Sequence, residues 1–234
     1  MAAPAVTRSV RLVHGEIDSR VVSTRLLVPT ASQPAWPPFR RIAESIASHG
    51  RQLPAHAHEL EEVLTYVTEG FAAYQVEDGP VDSLPQGSAR LLSAPSRVTH
   101  RVAPSRGAAV RWFNLVVGLP KGASGTPQLQ SAGPERPSLD VDDVRVLPLV
   151  GARAPMVSAT GLECQDMVFS QRSTTFLRVG ELRRAVLYAL AGQGTVDQEG
   201  VSAGSAVLAE GLPGVALQGS PGFRAIFATA PRSS

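Results

Sequence analysis

The chain has 234 residues with 22 basic and 20 acidic side chains, five histidines and one cysteine, and its formal charge is +2 at neutral pH. The arginines are scattered, so no basic face for nucleic acid stands out. The longest apolar runs are of strand length and the N-terminal stretch carries no apolar signal core, so a cytoplasmic protein with no membrane association is expected.

Twenty-one glycines and nineteen prolines punctuate short runs rich in Val and Leu that often alternate with polar residues, an all-β rhythm with little helical periodicity. In chain order, strands are expected at RSVRLVHGE, SRVVSTRLLV, RRIAESIAS, EVLTYVTEGFAAYQVED, SARLLSA, RVTHRVA and AVRWFNLVVG. From Pro120 to Asp140 the chain is dense in Pro, Gly and Ser without an apolar period, which reads as a linker. Beyond it come DVRVLPLV, DMVFSQR, TTFLRV, AVLYALAG, GTVDQEG, SAVLAEG, GVALQG and FRAIFATA. The expected organisation is therefore a domain at 1–119, a linker at 120–140 and a second domain at 141–234. Cys164 rules out an internal disulfide and is read as a small buried hydrophobe.

The two halves echo one another. Each has a strand ending in Gly, a Gly-Ser-Ala strand start and a last strand containing aromatics, as a duplication leaves them. Aligning Gly70 with Gly192 sets His56 and His58 opposite Arg178 and Gly180, and aligning Gly87 with Gly204 sets His100 opposite Leu217.

Those three histidines carry the chemical signal. Residues two apart on a strand share a face, so His56 and His58 can point together into a barrel, and His100 completes a set of three around one metal ion. A single His-x-His pair is also compatible with ordinary packed or half-exposed histidines. The loss of all three from the second half is what co-ligands, expendable together, would show.

The stretch LPAHAHELEEVLTYVTEG, with Gly50 ahead of it, resembles the first motif of the cupin superfamily, and within it the pirin family. GSARLLSAPSRVTH is similar to the pirin stretch that delivers the third histidine, and PPFRRIAES and LVVGLPKGASGTPQLQ fit the same family. The resemblance covers nearly the whole chain. It implies an all-β bicupin of two tandem jelly-roll barrels, the first holding metal on His56, His58 and His100 and the second metal-free.

Pirin-like proteins usually place a fourth, carboxylate ligand two residues after the third histidine; here that residue is Val102, which shares the parity of His100. Three neutral imidazoles leave the charge of a divalent ion uncancelled, favour an anionic or chelating ligand and keep coordination positions open. This suits Fe(II) first, with Zn, Ni, Mn or Co behind. Glu62 shares the parity of His58 if the strand runs without a bulge, and is the candidate catalytic base, a replacement ligand, or a hydrogen-bond partner of a histidine. Glu61 is expected to face solvent, as are Arg97 and Arg101; His14 and His49 are read as structural or exposed. Tyr66 shares the face of Glu62, and either Arg111 with Phe113 or Trp112 with Asn114 lines the barrel.

The resemblance implies a metal-dependent dioxygenase, similar to quercetin 2,3-dioxygenase, acting on a flavonol-like or enolic aromatic small molecule. Two other classes stand beside it: a non-catalytic metal-binding module that regulates a protein partner, and a non-redox isomerase or cyclase. A monomer is expected, because a bicupin already contains the barrel pairing that single cupins obtain by dimerising.

Overall fold

The structure, a computed structural model, describes residues 8–19, 22–48, 50–105 and 109–232; His49 lies outside them. Every regular element among these residues is a strand, and no helix is long and apolar enough to cross a membrane. The described residues are all-β and fall into two units.

One unit comprises Gly15–Arg136 and Pro155–Thr160. Its larger sheet runs in the order Gln128–Ala132, Ala89–Ala94, Glu61–Glu69, Val110–Gly118, Phe39–Ala47, Ser23–Val28, Glu16–Asp18. The smaller sheet runs His56–His58, Val98–Pro104, Phe71–Val76, Asp82–Pro85. Side chains of both sheets meet in one core, with Ala47, Val67 and Trp112 from the first against Tyr74, Leu84 and Val102 from the second. This is the two-sheet packing of a jelly roll, and alternation along each strand decides which residues enter it.

The other unit comprises the described residues of Met1–His14, Pro137–Ala154 and Gly161–Ser234. Its larger sheet has the order Ser9–His14, Ser205–Glu210, Arg183–Ala191, Arg224–Pro231, Glu163–Phe169, Val144–Val150, Leu139–Val141. Its smaller sheet has Ser173–Arg178, Gly214–Gly219, Gln193–Val196, Glu199–Ser202. Met167, Phe169, Leu177, Leu187, Val196 and Leu217 belong to its core.

The boundaries differ from those expected at 119 and 140. Gln128–Ala132, inside the expected linker, pairs with Ala89–Ala94, and Leu139–Val141 pairs with Val144–Val150. Ser9–His14, at the start of the expected first domain, pairs with Ser205–Glu210 of the second unit. An open sheet edge leaves unpaired N–H and C=O groups, and distant segments close these edges. Composition registers the Pro, Gly and Ser of residues 120–140 but carries no trace of such long-range pairing.

The run expected as one long strand, EVLTYVTEGFAAYQVED, is two strands in two sheets, divided at Gly70. Gly70 has φ of +76°, and a Cβ there would run into the carbonyl oxygen of Ala109. Its counterpart Gly192 has φ of +71°, and a Cβ would sit 2.8 Å from the Cα of Phe223. Both corners therefore require glycine for conformation and for space. Gly70→Ala and Gly192→Ala should each cost about 1–3 kcal/mol, read as a lower denaturant midpoint at unchanged slope. An unshifted midpoint would contradict this reading.

Candidate metal centre

His56–His58 is antiparallel to Val98–Pro104, with His100 opposite His56 and Val98 opposite His58. This register brings three rings together. The Nε2 of His100 lies 3.0 Å from that of His56 and 3.1 Å from that of His58.

The outer nitrogens fix the protonation pattern. His56 Nδ1 lies 3.0 Å from the carbonyl oxygen of Pro54, which can only accept, so that nitrogen carries the proton. His58 Nδ1 donates to Glu61 Oε2 at 2.7 Å. In its neutral form each ring then presents Nε2 as a lone pair toward His100. Burial, then His56, then His58, pushes the pKa of His100 down to about 3, and burial is the main cause lowering that of His56. Both are neutral at physiological pH, the form in which imidazole binds metal.

The donor spacing suits a small ion. At the roughly 2.1 Å bond usual for imidazole nitrogen, donors about 3.0 Å apart, as His100 is from each of the other two, subtend near-right angles like neighbouring positions of an octahedron, whereas tetrahedral geometry spreads them to about 3.4 Å. The three donor atoms form a group that could hold a metal ion.

The run from His58 to the next strand does not keep its alternation. Glu59 and Leu60 form a bend, and Leu60 has φ of +54°. After this break Glu61 takes the inward parity, shared with Val63, which packs with Leu92, Val98 and Val116. Glu61, expected at the surface, instead receives the His58 hydrogen bond and a second from Arg40 Nη1 at 3.2 Å. Burial works to raise its pKa, but His58 and Arg40 outweigh it and the net shift is downward, so the carboxylate stays ionised.

Glu62 faces the other way and does not join the histidines. It is fully buried, and its carboxylate accepts hydrogen bonds from Ser158 Oγ at 2.5 Å, Ala159 N at 2.9 Å, Thr160 N at 3.2 Å and Thr160 Oγ1 at 2.7 Å. The expectation of a base or ligand at Glu62 is corrected accordingly. It ties Pro155–Thr160 into the unit. Tyr66 keeps the face of Glu62, and its ring lies 5.5 Å from the guanidinium of Arg136.

A cavity of about 410 Å³ opens beside the histidines, lined among others by Arg41, Ser45, His56, His58, Glu61 and Asn114. The barrel is thus lined by the Trp112 and Asn114 parity, while Arg111 binds Glu69 at 2.9 Å. The amide oxygen of Asn114 is buried without a hydrogen-bond partner. Val102 lies in the apolar core, and Tyr74 of the same cluster packs its ring 5.3 Å from that of His100. His14, Arg97 and Arg101 are exposed, and Cys164 is buried. Sequence alone missed Glu61, Arg41, Asn114 and Tyr74 as neighbours of the histidines. Asn114 was recoverable only as one of two parities, and nothing local marked the others.

No protein-family profile matches the chain, and no curated protein matches it by sequence. Solved structures do match. A quercetin 2,3-dioxygenase from Acinetobacter baumannii superposes with a TM-score of 0.81 at 16% identity, over 96% of this chain and 79% of that one. The bacterial pirin YhhW from Escherichia coli, in complex with nickel(II), gives 0.81 at 15% identity over 96% and 100% of the two chains. A Geobacillus kaustophilus protein gives 0.85 at 20% identity over 97% and 98%.

The fold is that of the pirin-like bicupins.

Within this pirin-like fold the second unit keeps the ladders and lacks the ligands. Leu217 pairs with Thr175 and with Val196, as His100 pairs with His56 and with Val76. Val215 pairs with Leu177 as Val98 pairs with His58. The counterparts of His56 and His58 are thus Thr175 and Leu177, a correction of three residues of register from Arg178 and Gly180, while Leu217 stands opposite His100 as expected. Leu177 and Leu217 are core residues, so this place is filled with hydrocarbon.

Glu62→Gln turns an amide toward donors that had met a carboxylate. Because hydrogen bonds to a charged group are worth about 1.5–3 kcal/mol each, the variant should unfold at least 2 kcal/mol more easily, about one such bond, while binding metal as wild type does. Unchanged stability together with lost metal would return Glu62 to the centre.

Proposed function

We propose that the chain is a metal-dependent oxygenase of the pirin-like type, in which His56, His58 and His100 hold one divalent ion, with Fe(II) as the native metal ahead of Zn, Ni, Mn and Co. The observation that carries this is the convergence of three Nε2 atoms, 3.0 and 3.1 Å apart, beside an open cavity. The substrate is an enol-bearing or flavonol-like aromatic molecule whose paired oxygens chelate.

Bound there, the ion supplies Lewis acidity and, as iron, one-electron chemistry toward dioxygen. The chain's own residues set the conditions. Glu61 holds the His58 ring in the tautomer that presents Nε2, and Pro54 does the same for His56. Arg41 lines the cavity, where its charge also disfavours protonation of His56, and it attracts an anionic substrate. The unpartnered amide oxygen of Asn114 accepts a hydrogen bond from a substrate hydroxyl. No ionised carboxylate joins the donor set, so the charge of the ion is left for the substrate to neutralise.

Metal analysis of wild type and His58→Ala tests the site: wild type is expected to hold one ion per chain and the variant to lose most of it. Unchanged content in the variant would remove the assignment. Glu61→Gln should keep the fold and weaken metal affinity about 10–100-fold, measured by chelator competition; full affinity would reduce Glu61 to a surface ion pair with Arg40. Oxygen uptake with a flavonol should exceed that of free Fe(II) and vanish in His58→Ala. Uptake no faster than free iron would instead favour a non-catalytic metal-binding module.

A further inference from the structure

The second unit has lost the imidazoles but has kept an opening. In the metal-site unit the cavity is lined by Arg41 and Ala43 of Phe39–Ala47 and by Asn114 and Val116 of Val110–Gly118, and across that ladder Val116 faces Arg41 and Asn114 faces Ala43. In the other unit the strands at the same places in the sheet order are Glu163–Phe169 and Arg224–Pro231. There Thr229 faces Glu163 and Phe227 faces Gln165, and all four line a cavity of about 540 Å³. That volume is within the range of about 300–1,000 Å³ usual for small-molecule sites.

The chemistry of this cavity differs from that of its counterpart. Val146, Val150 and Phe227 contribute apolar wall, and Arg153 and Arg178 contribute two cations. Neither arginine is ion-paired with another described residue. Glu163, the one acid in the lining, lies 3.9 Å from Arg183, and Arg183 also donates to Thr229 Oγ1 at 3.0 and 2.8 Å. Arg183 thus approaches the acid from outside the lining, and the two exposed lining cations have no carboxylate partner among the described residues. Exposed guanidinium pairs recognise a carboxylate by charge and by paired N–H donors, while an apolar wall selects the body attached to it.

We propose that this cavity is a second, metal-free binding site for a small monocarboxylate with an aromatic or short acyl body, its carboxylate on Arg153 and Arg178 and its body against Val146, Val150 and Phe227. The site is independent of the metal centre: the ladder places of the metal-binding histidines are held here by Thr175, Leu177 and Leu217.

The test uses the full chain with trans-cinnamate as probe and cinnamamide as its uncharged control, followed by calorimetry and saturation-transfer NMR. Saturable cinnamate binding is expected, at least tenfold tighter than that of cinnamamide and unchanged in His58→Ala. The Arg153→Gln/Arg178→Gln double variant should unfold like wild type and bind cinnamate at least tenfold more weakly. The proposal is overturned if cinnamate does not bind, if the double variant binds it as wild type does, or if His58→Ala abolishes binding, which would place cinnamate at the metal centre.

Discussion

Three imidazoles brought nitrogen to nitrogen inside a protein are an unfavourable arrangement unless something positive stands between them. With their other nitrogens donating to Pro54 and Glu61, the neutral rings of His56 and His58 present lone pairs at Nε2, and His100 could offer a proton to only one of them. Protonation is the other way to supply positive charge. Burial opposes it at His100 and at His56. A shared metal cation satisfies all three nitrogens at once, and the remainder of the unit can be understood as holding this arrangement in place.

The short bend at Glu59 and Leu60 does much of that work. By breaking the alternation it sends Glu61 inward to orient His58 and sends Glu62 outward, where four hydrogen bonds fasten Pro155–Thr160. Two adjacent carboxylates thus have separate tasks, one electrostatic at the site and one architectural. The absence of a carboxylate two residues beyond His100 follows the same division: Val102 extends the apolar core, and the electrostatic demand of an ion passes to its ligand.

Much of this was legible in the sequence because it depends on local periodicity. The strands, the duplicated pattern and the shared face of His56 and His58 follow from two-residue alternation and from glycine at forced corners. The roles of Glu61 and Glu62 were not legible, since a single residue with positive φ exchanges the two faces of everything after it and Leu60 carries no sign of that conformation. The unit boundaries were hidden for a different reason. The pairings of Ser9–His14 with Ser205–Glu210 and of Gln128–Ala132 with Ala89–Ala94 join segments far apart in the chain, and neither composition nor pattern reports a partner.

The duplication shows how a barrel changes chemistry without changing frame. Ladders persist in both units, while one place passes from imidazole to Thr175, Leu177 and Leu217. The central claim concerns only the unit that kept its histidines, and cobalt(II) titration of the metal-stripped protein followed by visible absorption tests it most directly. One equivalent should bind, with the weak d–d bands of a six-coordinate ion, and His100→Ala should abolish the signal. Equal binding by His100→Ala would contradict three imidazoles on a single ion, and intense tetrahedral bands would contradict the near-right angles that their spacing sets.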